Sequence, residues 1–109
     1  MHELALTQEI ISVARERAGA AQVTRVVIEI GRLTAVLPDA VRSCFRLCVE
    51  DTPLRGAELV IIETPGAARC RACGGQVQLD QPLGCCSCGS RDLEWLAGQE
   101  LRIREIEVI

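Results

Sequence analysis

Two stretches of the chain repeat their apolar residues at intervals of three and four, the spacing that places side chains on one face of a helix. The first covers residues 4–18 and is closed by Gly19. The second begins at Pro38, which suits the first turn of a helix, and ends before Pro53. Its apolar face consists of Val41, Cys44, Phe45 and Cys48. We expect both cysteines of that face to lie in the core, because free cysteine is among the most buried residue types.

Three further stretches are typical of strands, because apolar and polar residues alternate along them. They cover residues 23–31, 57–63 and 100–109. Residues 65–98 interrupt this pattern with five cysteines, eight glycines and prolines, and no sustained period. The order of elements predicts an α+β fold, in which two helices pack on a small, mostly antiparallel sheet of about three strands. We expect residues 1–64 plus 98–109 to form one discontinuous domain, and residues 65–97 to form an inserted subdomain.

The composition is that of a small globular protein without a strong charge signal. The 109 residues include 12 basic and 15 acidic side chains, for a net charge of −3. The arginines are scattered, so the chain offers no basic block to nucleic acid. No apolar run is long enough to span a membrane and no signal peptide is evident, so we expect a cytoplasmic protein. His2 is the only histidine and no nucleophile–base pair is evident, so we do not expect an enzyme.

Four cysteines in the insert have the spacing of a tetrahedral metal site. They form two C-x2-C pairs separated by eleven residues, namely Cys70, Cys73, Cys85 and Cys88. The glycine after each pair, Gly74 or Gly89, can adopt the positive φ that such a turn requires. Four thiolates suit a structural Zn²⁺ ion, which makes the insert a zinc-ribbon-like subdomain, although iron uses the same ligands. Cys86 is a less favoured substitute for Cys85, because only Cys85 repeats the spacing of the first pair.

The first three residues can supply nitrogen donors to a second metal ion. The α-amine of Met1, the backbone nitrogen of His2 and its Nδ1 form two fused chelate rings, and the amide of Glu3 can add a fourth donor. Planar nitrogen coordination suits Ni²⁺ or Cu²⁺ better than Zn²⁺. Such a site requires a free amine on Met1. The alternative is a solvated helix start, in which Glu3 only favours the helix dipole.

The chain resembles the HypA/HybF family over nearly its whole length. The resemblance rests on the start "MHE" with a helix directly after it, on "IEIGRL" in the first strand, and on a second helix that begins with proline. It also includes the turns "CRACGG" and "CCSCGS" and the closing strand "IREIEV". The family consists of nickel-incorporation proteins for the maturation of [NiFe] hydrogenases.

This resemblance implies a nickel metallochaperone with two metal sites. It assigns nickel to Met1, His2 and Glu3 in the discontinuous domain, and a structural zinc to the four cysteines of the insert. It implies delivery of nickel to the large-subunit precursor of a hydrogenase, together with the nickel-binding GTPase HypB. Some family members also serve urease, which makes urease maturation proteins further partners. We expect a monomer or a weak homodimer, since the edge of so small a sheet is open to pairing.

Two other classes of protein use similar cysteine pairs. One is a zinc-ribbon module that binds nucleic acid, which would need a basic face with aromatic residues. Support for it is weak, because Arg69, Arg71 and Arg91 are offset by Asp80, Asp92 and Glu94. The other is a rubredoxin-like electron carrier, which would be red and redox-active when purified.

Overall fold

The computed structural model describes residues 3–109, which contain two helices and six strands. In chain order these are α1 (Glu3–Ala18), β1 (Val23–Gly31), α2 (Pro38–Cys48), β2 (Glu58–Thr64), β3 (Gly66–Cys70), β4 (Gln76–Leu79), β5 (Leu93–Ala97) and β6 (Leu101–Val108). The α+β class is therefore confirmed, and both helices and the strands β1, β2 and β6 lie where the sequence predicts them. Across the described range, neither helix has the length and apolarity needed to cross a bilayer.

The chain divides into two compact units, each built from separate segments. The first unit comprises the described part of Met1–Glu29 together with Val36–Ile62 and Arg102–Ile109. The second comprises Ile30–Ala35 and Glu63–Leu101. The sequence places residues 30–35 in the discontinuous domain, whereas in the structure they pack with the cysteine-rich segment.

The first unit has an apolar core formed by the two helices and a three-stranded sheet. Helix α1 buries Ile10, Ile11 and Ala14 and packs on α2, which buries Val41 and Phe45. Strand β1 is central in the sheet, between β2 and β6. Both cysteines of α2 are half-buried and so lie at the margin of the buried face rather than fully inside it.

One acidic residue of β1 departs from the alternating pattern. Glu29 is only 8% exposed, although strand alternation predicts a polar, outward position for it. Its Oε2 lies 2.6 Å from Nε of Arg102, and its Oε1 lies 4.0 Å from Nη1 of Arg104. Both arginines belong to β6, the neighbouring strand in the sheet. Their long side chains cover the carboxylate and provide the opposite charge that a buried acid requires.

The second unit contains a small antiparallel sheet that the sequence does not predict. Strand β3 lies between β4 and β5, and Gly66 pairs with Leu79 at one end of the β3–β4 ladder. A compact apolar cluster supports this sheet and consists of Leu33, Ala68 and Leu79, with Val77 and Leu93 packed against it. Leu33 comes from the three-residue 3-10 turn Arg32–Thr34 that follows β1. This contact explains why residues 30–35 belong to the second unit.

Backbone contacts also hold residues 30–35 in the second unit. The amide of Gly31 donates to the carbonyl of Glu100 at 2.7 Å, and the amide of Leu33 donates to the carbonyl of Gly98 at 2.8 Å. The backbones approach so closely that a Cβ on Gly31 would overlap the carbonyl group of Gly98. A glycine is thus required at position 31 by close packing rather than by its own dihedral angles, since its φ is −75°.

Candidate metal centre

Four cysteines of the second unit converge on one point. The sulfur atoms of Cys70, Cys73, Cys86 and Cys88 all lie within 4.8 Å of one another. The Sγ atoms of Cys70 and Cys88 are 3.6 Å apart, and those of Cys73 and Cys86 are 3.5 Å apart. The structure therefore brings together three of the four predicted cysteines and adds Cys86 as the fourth.

The first pair of cysteines lies in a tight turn at the end of β3. The amide of Gly74 donates to the carbonyl of Cys70 at 2.8 Å, and the amide of Cys70 donates to the carbonyl of Gly75 at 2.8 Å. Gly74 has a φ of 78°, as the sequence predicts for this position. The amide of Gly75 lies 3.4 Å from Sγ of Cys73 and donates to it. This turn fixes both sulfurs of the pair on the same side of the backbone.

The second turn brings Cys86, rather than the predicted Cys85, into the group of four sulfurs. The amide of Cys86 donates to the carbonyl of Ser90 at 2.9 Å, and the amide of Gly89 donates to the carbonyl of Cys86 at 2.8 Å. Cys86 is 5% exposed and its sulfur belongs to the cluster, whereas Cys85 is exposed and lies outside the group of four. Spacing favours Cys85, but the hydrogen bonds close this turn one residue later. Gly89 has the expected positive φ of 94°.

The thiols of Cys70 and Cys88, which form one close sulfur pair, differ in pKa. The pKa of Cys70 is lowered to about 6, chiefly because the amide of Cys73 donates to its sulfur, while burial opposes this effect. The amide of Ser90 lowers the pKa of Cys88, but hydrogen bonds with the thiols of Cys70 and Cys86 outweigh it and raise this pKa to about 11. The pKa of Cys70 therefore lies below the usual value for a thiol, and that of Cys88 lies above it.

The second sulfur pair shows the same division. The amide of Cys88 donates to the sulfur of Cys86 and lowers its pKa, with a further contribution from the thiol of Cys73. The amide of Gly75 lowers the pKa of Cys73, yet the thiols of Cys86 and Cys70 reverse this effect and leave that pKa raised. Each close pair thus combines one thiol of lowered pKa with one of raised pKa, and binding of a metal ion would require both to lose their protons.

The dimensions of the cluster fit a tetrahedral thiolate site. Zinc–sulfur bonds of about 2.3 Å place the sulfurs of such a site about 3.8 Å apart. This is close to the separations of 3.6 Å and 3.5 Å between the paired sulfurs of the cluster. Thiolates favour soft or borderline ions such as zinc and iron over magnesium or calcium. The residues present are therefore able to enclose one such ion on all four sides.

Ion pairs brace the segments that carry the cysteines. Nη1 of Arg71 lies 3.0 Å from Oδ1 of Asp92, and the amide of Arg71 donates to the carbonyl of Asp92 at 2.9 Å. These contacts connect the first turn to the start of β5. A second pair joins Arg32 to Asp80 at 2.8 Å, between the 3-10 turn and the segment after β4. The ion pairs are solvent-exposed, so they contribute more to the placement of the turns than to stability.

The predicted N-terminal nickel site lies mostly outside the described residues, because it includes Met1 and His2. Its third residue, Glu3, begins α1 and is bound at two points. Its Oε2 accepts a hydrogen bond from the amide of Leu37 at 3.0 Å, and its carbonyl accepts one from Oγ1 of the buried Thr7 at 2.7 Å. The carboxylate thus serves the N-terminus of α2, where Leu37 precedes Pro38 and has no side-chain acceptor of its own. No local pattern in the sequence indicates this contact.

The chain is similar to known proteins over nearly its whole length. The family model described as "Hydrogenase/urease nickel incorporation, metallochaperone, hypA" matches residues 1–108. The hydrogenase maturation factor HypA of Nostoc punctiforme is 51% identical over 108 residues, which are 99% of this chain and 96% of that protein. The factor of the same name from Geotalea uraniireducens is 40% identical over 109 residues, with 99% of each chain covered.

Solved structures show the same fold. The solution structure of the Ni metallochaperone HypA from Helicobacter pylori has a TM-score of 0.67 at 24% identity, and the match covers 100% of this chain and 98% of that one. A further solution structure of HypA protein has a TM-score of 0.66 at 25% identity, covering 100% and 97%. Because the family model and the curated relatives match nearly the whole chain, the protein belongs to the HypA family of nickel-incorporation metallochaperones, which act in hydrogenase maturation.

Proposed function

We propose that this chain binds Ni²⁺ through Met1, His2 and Glu3 and delivers it to the large-subunit precursor of a [NiFe] hydrogenase. The observation that carries the proposal is the match to the nickel-incorporation family over residues 1–108, which includes all three residues. The donor chemistry supports it, since an amine, backbone nitrogens and one imidazole form a planar set that Ni²⁺ accepts. The carboxylate of Glu3 is not needed as a donor, because its amide nitrogen suffices.

Release of the nickel follows from the same donor set. Planar coordination leaves both axial sides of the ion open, so a ligand from an acceptor protein can approach there. Backbone nitrogens bind only when deprotonated, and their reprotonation weakens the site. Transfer is thus coupled to docking of the acceptor and to proton uptake, and no covalent intermediate with this chain is required.

The cysteine cluster is proposed to hold a structural Zn²⁺ ion. Four sulfur donors leave no open position for substrate or water, which is the arrangement of a structural site rather than a catalytic one. The ion would cross-link the turn after β3 to the turn before β5, and so stiffen the second unit as a surface for partner recognition. A zinc-loaded protein would be colourless, whereas iron in the same cluster would make it red.

The partners are proposed from the family and from what the sequence lacks. The chain contains no glycine-rich phosphate-binding motif, so nucleotide hydrolysis during nickel transfer belongs to another protein, for which a nickel-binding GTPase such as HypB is the candidate. Urease maturation proteins are a second group of acceptors, in keeping with the hydrogenase/urease scope of the family model.

A nickel titration tests the N-terminal site. Untagged protein with Met1 retained is compared with His2→Ala and with a form that carries an added residue before Met1. Nickel binding is expected to weaken strongly in both variants, and the spectrum of planar nickel is expected to disappear. The Glu9→Ala variant, altered at an exposed position of α1, serves as the control and should bind as the parent does. Equal binding by all four forms would show that nickel binds elsewhere.

A further inference from the structure

We propose that Cys85 and Cys86 are interchangeable ligands, so that the metal in the cluster chooses its fourth sulfur from two adjacent residues. This inference rests on the structural zinc site proposed above. It concerns Cys85, whose exposed thiol has no role in the arrangement of four sulfurs. The exchange requires the second turn to shift by a single residue, and the contacts of the two turns indicate that both registers are available.

The hydrogen bonds that close the two turns differ in span by one residue. In the first turn, the amide of Cys70 bonds to the carbonyl of Gly75, five positions later. In the second turn, the amide of Cys86 bonds to the carbonyl of Ser90, only four positions later. A bond from the amide of Cys85 to the same carbonyl of Ser90 would restore the span of the first turn. The register that uses Cys85 therefore has a working precedent in the other half of the same site.

The segment around Cys85 is able to make this shift at little cost. Within the described chain, residues 80–92 contain no strand, so a change of register breaks no ladder of the sheet. Leu83 is 82% exposed and does not anchor the segment in the core. Cys85 itself lines an open cavity of about 530 Å³, together with Leu83, Arg91 and Trp95. Its thiol is therefore accessible and has space in which to move.

The exchange is a ligand substitution that balances without an added reactant. The bond between the metal and Sγ of Cys86 breaks, and a bond to Sγ of Cys85 forms. Cys85 loses its thiol proton to solvent, and Cys86 takes a proton up, so that no redox change occurs. The metal ion has four thiolate ligands before and after the exchange. The second available thiol shortens the time during which only three thiolates are bound.

The experiment compares Cys85→Ala, Cys86→Ala and the double variant as the full chain, loaded with zinc and separately with cobalt. Zinc content after dialysis is measured, and the sulfur-to-cobalt charge-transfer absorbance reports the number of bound thiolates. Each single variant should retain a full equivalent of metal with the four-thiolate cobalt spectrum. The double variant should lose that spectrum and bind zinc more weakly by at least about tenfold, since even the loss of an outer-shell partner has an effect of this size.

The controls separate this inference from the zinc site itself. Cys73→Ala should behave like the double variant, and Cys44→Ala should behave like the parent. If Cys86→Ala loses the four-thiolate spectrum while Cys85→Ala keeps it, Cys86 is the sole ligand and the inference is wrong. The reverse result would make Cys85 the sole ligand and would contradict it equally. If the parent protein binds neither zinc nor cobalt at the cluster, the proposed zinc site itself fails.

Discussion

Glu3 accepts one hydrogen bond from within α1 and another from the start of α2. Its carbonyl bonds to Thr7, which is fully buried, and its carboxylate bonds to the amide of Leu37 at the start of α2. Both contacts restrict the backbone at Glu3, and the nickel site proposed above uses the amide nitrogen of that same residue. In the proposed nickel site, the side chain of Glu3 therefore fixes the position of its own amide nitrogen and does not itself coordinate the ion.

Replacement of Glu3 should separate these two roles. In Glu3→Ala the bond to Leu37 is lost, and we expect the free energy of unfolding to fall by about 1 kcal/mol, as for the loss of a helix cap. Nickel affinity should fall by about tenfold, the usual effect of removing a group that orients a ligand. Glu3→Gln keeps a carbonyl oxygen as acceptor and should restore most of both quantities. Urea titration and nickel titration measure them.

The exposed Glu9 on the same helix provides a matched control, because Glu9→Ala removes the same charge at an exposed position. If Glu3→Gln loses the planar nickel spectrum while its stability is retained, the carboxylate is a ligand and the positioning role is wrong.

At the scale of single residues, spacing predicts the clustered cysteines only in part. Cys70, Cys73 and Cys88 of the predicted set lie in the cluster. The choice between Cys85 and Cys86 depends on which carbonyl closes the second turn, and spacing carries no information about that bond. Glu29 is a similar case, because its burial depends on Arg102, which lies far from it along the chain.

Among the elements, the connection after β1 depends on close backbone contact. Gly31 ends β1 and approaches the segment between β5 and β6, where its amide meets the carbonyl of Glu100. A side chain at this position would meet backbone atoms, which cannot move aside as the end of a flexible side chain can. The space for a side chain is thus restricted at the point where the chain passes from β1 into the second unit.

Gly31→Ala should therefore be strongly destabilising, by about 3 kcal/mol or more, at the upper end for overpacked sites. Gly19→Ala is the matched control, since Gly19 has a positive φ of 61° but no atom within 4 Å of an added Cβ. That variant should lose only about 1–2 kcal/mol, the penalty of a left-handed conformation. Urea unfolding measures both changes. Equal losses would show that the contact between Gly31 and Gly98 relaxes easily.

The helices and strands differ in how clearly the sequence predicts them. Helix α2 and strand β1 are long enough to show a period of 3.6 or 2. The sequence predicts both ends of β1 and the start of α2 at Pro38, and it places the end of α2 only before Pro53. Strands β3, β4 and β5 have four or five residues each and lie between cysteines, glycines and prolines, so no period develops. They are stabilised as a sheet by the cluster around Leu33 and Ala68, which assembles residues from distant segments.

On the scale of the whole molecule, each unit carries its own spectroscopic reporter. Within the described residues, both helices belong to the first unit. Trp95, the only tryptophan, lies on β5 in the second unit and is 38% exposed. Helical circular dichroism thus follows the first unit, and tryptophan emission follows the second.

Removal of zinc by a chelator should act on the second unit alone. We expect a red shift of Trp95 emission, because the turns lose the ion that cross-links them, while the helical signal stays nearly constant. Cys88→Ala should reproduce the effect without a chelator, and Cys44→Ala should not. Nickel binding at the N-terminus should be largely retained in each case. Loss of the helical signal together with tryptophan emission would show that the two units unfold as one.

The division into units was only partly predictable, because the sequence locates the insert by composition. Cysteines, glycines and prolines mark residues 65–97, but nothing near Leu33 distinguishes it from the residues of the first unit. Its assignment depends on packing against Ala68 and Leu79, a contact between segments more than thirty positions apart. Contacts between distant segments cannot be predicted from the local spacing of apolar residues.

The interleaving of the two units also has a consequence for biosynthesis. The chain passes from one unit to the other after Glu29, after Ala35, after Ile62 and after Leu101. The first sheet needs β6, and the second unit needs β5 and the residues up to Leu101, so neither can be completed early on the ribosome. Until those residues emerge, the apolar faces of both helices and the cysteines of the second unit remain exposed. The interval before β6 emerges is therefore when the chain is most open to aggregation, to thiol oxidation and to capture of the wrong metal.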